Sequence, residues 1–157
     1  MLRMPTVAAH VKPLDPHSYP QPEWNDPSSV HAALEAVRRA HDEPSANEAY
    51  DRLLWAVGNN HSGTFYPVVL AVLPQIEQIL INAGTWAQRA AMESLIDLGG
   101  SFIPEERYKT HLGASVREQL QAFIHSLRPR VVPLAVGHNA RSQSAVDLLE
   151  LIDDQAA

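Results

Sequence analysis

Apolar residues recur at intervals of three and four almost without a break from Val30 to Ile152. That spacing is the strongest limit on what this chain can fold into. Residues so placed share one face of an α-helix, whereas a half-buried strand needs strict alternation. Val30, Ala33, Leu34 and Val37 form one stripe; Tyr50, Leu53, Leu54 and Val57 form another; Ala145, Leu148, Leu149 and Ile152 form the last. The expectation is an all-α domain of about six helices, stacked as antiparallel hairpins into a short solenoid.

Polar residues and glycines divide the stripes. Asp26 before Pro27 suits a helix start, since proline at the first position gives up an amide that has no partner there. Ser45 with Glu48, Thr85 with Gln88 and Ser115 with Glu118 each have capping-box spacing. Gly58, Gly84 and the Gly99–Gly100 pair read as stops. A third helix is expected from about Thr64 to Asn82, with Thr64 as its cap. Its run "YPVVLAVL" predicts burial on most of the circumference, with a bend at Pro74. The fourth helix should reach Leu98 and the fifth about Leu127, ahead of Pro129.

The repeat starts only after residue 25. Six of the 12 prolines fall within residues 1–27, so residues 1–25 read as an extended arm, polyproline-like or disordered. A loosely attached tail is the default for a terminus; packing over the helices or reaching a partner is the alternative. Residues 26–157 then make a single helical-repeat domain, and 157 residues suffice for a substantial core.

Chemistry is sparse. The chain has no cysteine, which excludes disulfides, thiolate nucleophiles and Cys-ligated zinc and suits a reducing cytoplasm. No apolar run approaches the ~20 residues that span a bilayer, so no membrane partner is expected. A net charge of −6 argues against nucleic acid, and the basic spot at Arg128 and Arg130 is too small for it. Of eight histidines, only His31 has a carboxylate at helical spacing, Glu35, and no third ligand follows. His41, Asp42 and Glu43 are adjacent and diverge around a helix end, while His111, His125 and His138 are scattered. Neither metal nor cofactor is expected. Ser62 beside His61 lacks a third group to aim the base, so the chain reads as non-catalytic.

The sets Ala49–Leu53–Ala56, Ala91–Leu95–Leu98 and Ala145–Leu149–Ile152 share one spacing, at intervals near the period of helix-pair repeats. The middle unit, "LPQIEQILINAGTWAQRAAMESLIDLG", resembles a HEAT or armadillo-type repeat, with Pro74 in its first helix and Arg89 in its second; Gln143 stands where the last unit would align that arginine. The string "LLWAVGNNHSGTFYPVVLAVLP" together with "AMESLIDLGGSF" also resembles small bacterial helical-repeat immunity proteins. That resemblance implies a protein that covers the active site of a cognate toxin whose surface is neutral or basic. A generic helical adaptor is the alternative, and a metal- or His-dependent enzyme comes third.

Two stretches could meet a partner. "GNNHSGTFYP" has a structural job open to every residue, with Gly58 left-handed at the helix end and Asn59 tolerant of similar angles. Asn59, Asn60, His61 and Tyr66 are also its candidates for recognition. "IPEERY" adds Glu105, Glu106 and Tyr108, and the last helix carries Asp147, Glu150, Asp153 and Asp154. A solvated charged face is the ordinary explanation of the carboxylates; steering toward a basic partner is the other. Far-UV circular dichroism should show a dominantly helical protein, and a strand content above roughly a fifth would sink this reading.

Overall fold

The computed structural model describes residues 13–157, so residues 1–12 of the expected arm lie outside the described residues. The helices are α1 (Ser29–Arg39), α2 (Glu43–Val57), α3 (Val69–Asn82), α4 (Thr85–Gly99), α5 (Val116–Ser126), α6 (Arg128–Val131) and α7 (Ser142–Ala156). Between them lie β1 (Gly58–Asn59), β2 (Thr64–Phe65), β3 (Ile103–Pro104), β4 (Thr110–His111) and β5 (Ala114–Ser115). The molecule is predominantly α-helical, as the spacing predicts. The short α6 is the helix not anticipated, opened by Pro129 in its first turn.

Packing converges on α4, which touches α1, α2, α3, α5 and α7. Its buried positions, Ala87, Gln88, Ala90, Ala91, Met92, Ser94, Leu95, Leu98 and Gly99, cover well over half its circumference. One row of contacts runs α1–α3–α5 and another runs α2–α4–α7. The result is a compact helical packing centred on α4. By contrast α3 buries a single stripe, Val69, Val72, Leu73, Ile76, Ile79 and Leu80. The expectation of an α3 buried on most of its circumference is corrected: Leu70, Ala71 and Pro74 are only half-buried.

Four helix starts also differ from expectation. Helix α1 begins at Ser29 rather than at Pro27, because the Asp26 carboxylate accepts from the Ser28 amide at 2.7 Å and closes a turn ahead of the helix. The capping box of α2 is Asp42 with Ser45, whose amide donates to the Asp42 carboxylate at 2.9 Å. Ser45–Glu48 is not the box because Pro44 suits the first turn, and that sets the start three residues earlier. Thr85 opens α4 without capping it; Gln88 is buried and donates to the Leu80 carbonyl at 3.1 Å. That carbonyl belongs to the last turn of α3, which has no donor of its own. Helix α3 begins at Val69, because Thr64 and Phe65 are taken into strand pairing. Ser115 caps α5 as expected, accepting from the Glu118 amide at 3.1 Å.

Polar ties fix α4 to its neighbours. The Tyr50 hydroxyl on α2 donates to the Asp97 carboxylate. The Gln155 amide on α7 donates to the Gly99 carbonyl at 2.7 Å, and Ser144 donates to Glu93 at 3.3 Å. Burial, then the hydrogen bond to Asp97, pushes the Tyr50 phenol above the ordinary tyrosine range.

Two measurements follow. Ala91 is wholly buried in α4, so Ala91→Leu should overpack it and destabilise by roughly 1–3 kcal/mol in denaturant unfolding; a change within about 0.5 kcal/mol would contradict the central packing. A phenol whose folded pKa is raised adds stability that is fully present below the unfolded pKa, about 10, and is lost as pH climbs toward the folded value. Melting temperature should therefore fall above about pH 10, and Tyr50→Phe should flatten that fall; identical alkaline slopes would refute the coupling.

Candidate docking face

The face begins with how α2 ends. Gly58 does not take the left-handed conformation expected of it: φ is −170° and ψ is −161°, extended backbone. The chain therefore enters β1 directly, and no left-handed cap closes the last carbonyls of α2. Three outside donors take them instead. Trp24 Nε1 donates to the Trp55 carbonyl at 2.9 Å, Asn25 Nδ2 to Ala56 at 2.7 Å, and the Tyr66 amide to Val57 at 2.8 Å.

Glycine is needed at 58 for a different reason. A Cβ there would lie 2.1 Å from the Thr64 carbonyl oxygen and 2.9 Å from Phe65 Cα. Strands β1 and β2 pair antiparallel, Gly58 with Phe65 and Asn59 with Thr64. Asn59 supplies the turn: its side-chain oxygen accepts from the His61 amide at 3.0 Å and the Ser62 amide at 3.1 Å. The left-handed residue of this turn is Gly63, with φ of 68°. Asn60 lies in the same turn, half-buried. Ser62 faces Thr64, hydroxyl to hydroxyl at 3.3 Å, so it is not engaged by the neighbouring imidazole.

The second stretch is pinned to the first by backbone. Strand β3 runs parallel to β2, with the Ile103 amide donating to Gly63 at 3.0 Å and the Glu105 amide to Phe65 at 2.8 Å. A one-turn 3-10 helix, Glu106–Tyr108, follows at once. The two candidate groups, far apart in sequence, thus share one surface. Tyr66 and Tyr108 lie 5.5 Å apart between ring centroids, and Glu105 stands close enough to Tyr66 to disfavour its ionisation. Burial first and Glu105 second push the Tyr66 phenol upward, against an opposing pull from Arg107. His61 meets Trp55 edge-on at 5.5 Å. Glu106 is exposed and paired with Lys109 at 3.1 Å.

Four residues that sequence reasoning passed over complete the surface. Trp24 packs edge-on against Trp55 at 5.8 Å and against Tyr66 at 6.3 Å, with 51% of its area exposed. Arg107 lies over the Tyr108 ring at 5.4 Å and reaches Glu23 at 3.8 Å. A signal was available for the tryptophans: Trp55 sits off the apolar stripe of α2, and Trp24 is the one large apolar side chain at the end of a proline-rich segment. The arrangement is an aromatic centre with a rim of exposed, internally paired charges. Such pairs contribute little stability each, about 0–1 kcal/mol.

Other surfaces differ in character. The carboxylates of Asp51, Glu93, Asp97 and Asp147 line a shallow groove of about 460 Å³ with Asn47, Tyr50 and Ile96. Asp153 pairs with Arg128 at 3.1 Å, and Glu150 and Asp154 are exposed. Another groove, of about 590 Å³, lies between α3, α5 and the β4–β5 hairpin, where Tyr19 stacks on His111 at 4.7 Å. Among the described residues no three histidine or carboxylate side chains are grouped so as to hold a metal ion. No helix among the described residues is long and apolar enough to cross a membrane.

Any side chain at position 58 meets the Thr64 carbonyl, so Gly58→Ala should cost roughly 1–3 kcal/mol although alanine adopts extended backbone freely. His61→Ala, on an exposed ring, should stay within about 0.5 kcal/mol. Chemical denaturation of both variants checks this, and an unaffected Gly58→Ala protein would show that β1 and β2 can part without penalty.

Comparison with known protein families, curated proteins and solved structures finds no match, so the face is judged on its own chemistry.

Proposed function

We propose that this chain is a non-catalytic protein-binding module whose partner docks on the aromatic face. The supporting observation is the convergence of Trp24, Trp55, His61 and Tyr108 from three distant segments on one partly exposed surface, over the buried ring of Tyr66. Aromatic side chains bring large contact area at low ordering cost, and interfaces concentrate them at the centre with polar groups at the rim. The charged groups at this rim are Glu23, Glu105, Glu106, Arg107 and Lys109.

In the broadest form of this reading the chain is a helical adaptor, and the rows α1–α3–α5 and α2–α4–α7 are its support for a short HEAT-like array. The narrower form is an immunity protein in the cytoplasm that covers a toxin's active site. Its support is the net charge of −6, which favours a basic partner.

A photo-crosslinking residue placed at Tyr108 should capture the partner, while the same residue at exposed Val136 should not. With the captured protein purified, Tyr108→Ala should weaken binding at least about tenfold, about 1.4 kcal/mol, and leave the melting temperature unchanged. Capture only at Val136, or unaltered affinity in Tyr108→Ala, would remove the face from the interaction.

A further inference from the structure

We propose that the surface beneath Tyr19–Asn25 is a docking site for a peptide turn containing proline and tryptophan, occupied in cis by the chain's own arm until such a peptide displaces it. This rests on the docking reading above and specifies the partner's chemistry: the partner's tryptophan takes the place that Trp24 fills beside Trp55 and Tyr66. The occupant already in place is the argument. Residues 19–25 read "YPQPEWN", with two prolines whose fixed φ lowers the entropy lost on binding, and the Asn25 amide donates to the Pro22 carbonyl at 3.1 Å to close a turn that presents Trp24.

The bonds that hold this segment fall into two kinds. Pro20 accepts from the Val68 amide at 3.0 Å, Trp24 donates to the Trp55 carbonyl at 2.9 Å, and Asn25 donates to the Ala56 carbonyl at 2.7 Å. On the body every one of these groups is main chain at a helix end, where a partner group is needed but the identity of its bearer is not. Selectivity comes from the rest. Pro22 is buried, and the Trp24 ring meets the edges of Trp55 and Tyr66, interplanar angles 74° and 84°. Glu23 faces Arg107. An aromatic-lined groove that holds a proline-containing segment by main-chain bonds and a few side-chain contacts is a recognised mode of peptide binding. Trp24 keeps 51% of its area in solvent, so its ring is gripped on one side and open on the other.

Competition explains how the groove would be regulated. An arm tethered through residues 26–28 competes at an effective concentration on the order of millimolar, so a peptide no better than the arm barely binds the intact chain. Weakening the arm should unmask the groove.

The experiment uses the full 157-residue chain and a fluorescent synthetic peptide spanning residues 13–26. Anisotropy titration should show at least about tenfold tighter binding to the Trp24→Ala chain than to the unaltered one. The peptide should also restore part of any melting temperature that Trp24→Ala loses, and a peptide with alanine in place of its tryptophan should do neither. Asn25→Ala, which removes one bond and leaves the ring, provides a second loosened chain should Trp24→Ala fail to fold. No binding to a folded Trp24→Ala chain, equal binding of the alanine peptide, or unfolding of both variants would overturn the proposal and make the arm a fixed part of the fold. Doubled mass of the Trp24→Ala or Asn25→Ala chain by light scattering, with no peptide present, would overturn it differently, assigning the groove to a second copy through arm exchange. Crosslinking at Tyr108 is independent of all these outcomes, so the docking reading can survive the loss of this one.

Discussion

The burial of α4 on well over half its circumference ties five other helices to one element, and the rest of the structure follows from satisfying that helix. A helix that apolar offers water little, so its neighbours must approach closely on several sides at once. Alanines at 87, 90 and 91 keep part of its surface small, while Met92, Leu95 and Leu98 fill the remainder. Its two buried polar side chains are both bonded, Ser94 to the Ala90 carbonyl at 2.8 Å and Gln88 to Leu80, which is the condition for polar groups in such a place. The Tyr50–Asp97 bond and the Ser144–Glu93 link from α7 give each of these polar groups a partner in place of the water lost on burial.

The candidate face arises from a second constraint, the missing cap at the end of α2. Because Gly58 is extended, the carbonyls of Trp55, Ala56 and Val57 must find donors outside the helix. The arm supplies two and the return strand one, which draws Trp24 and Tyr66 onto the same few ångströms of surface. Strand β3 then brings Tyr108 alongside through backbone pairing alone. An unmet hydrogen-bonding need at one helix end thus accounts for why three sequence-distant segments meet there.

Local signals and tertiary ones separate cleanly along this chain. Ser115 was legible as a cap because its partner is three residues away in the same turn, and α4 and α7 were legible from their apolar spacing. Thr85–Gln88 has the same spacing as Ser115–Glu118, yet Gln88 turns to the end of α3, a partner that no local pattern displays. Thr64 looked like a helix cap and became a strand residue, because pairing with Asn59 and Ile103 competes with helix and wins over two residues. Of the candidate recognition residues, His61, Tyr66, Glu105 and Tyr108 were selected by chemical type in two separate stretches; their adjacency was not visible, and Glu23, Trp24, Trp55 and Arg107 were missed.

By itself, the sequence determined the helical class, the approximate extent of each long helix and the absence of cysteine chemistry, since each depends on residues within a few positions of one another. Tertiary structure decided which helix lies at the centre, where α2 finds its caps, and that residues 13–25 lie against the body. Those outcomes depend on pairs such as Trp24 with Trp55 and Tyr66 with Tyr108, whose separation along the chain carries no periodic signal. Only the closing of the chain around α4 brings their backbone needs and aromatic surfaces within reach of each other.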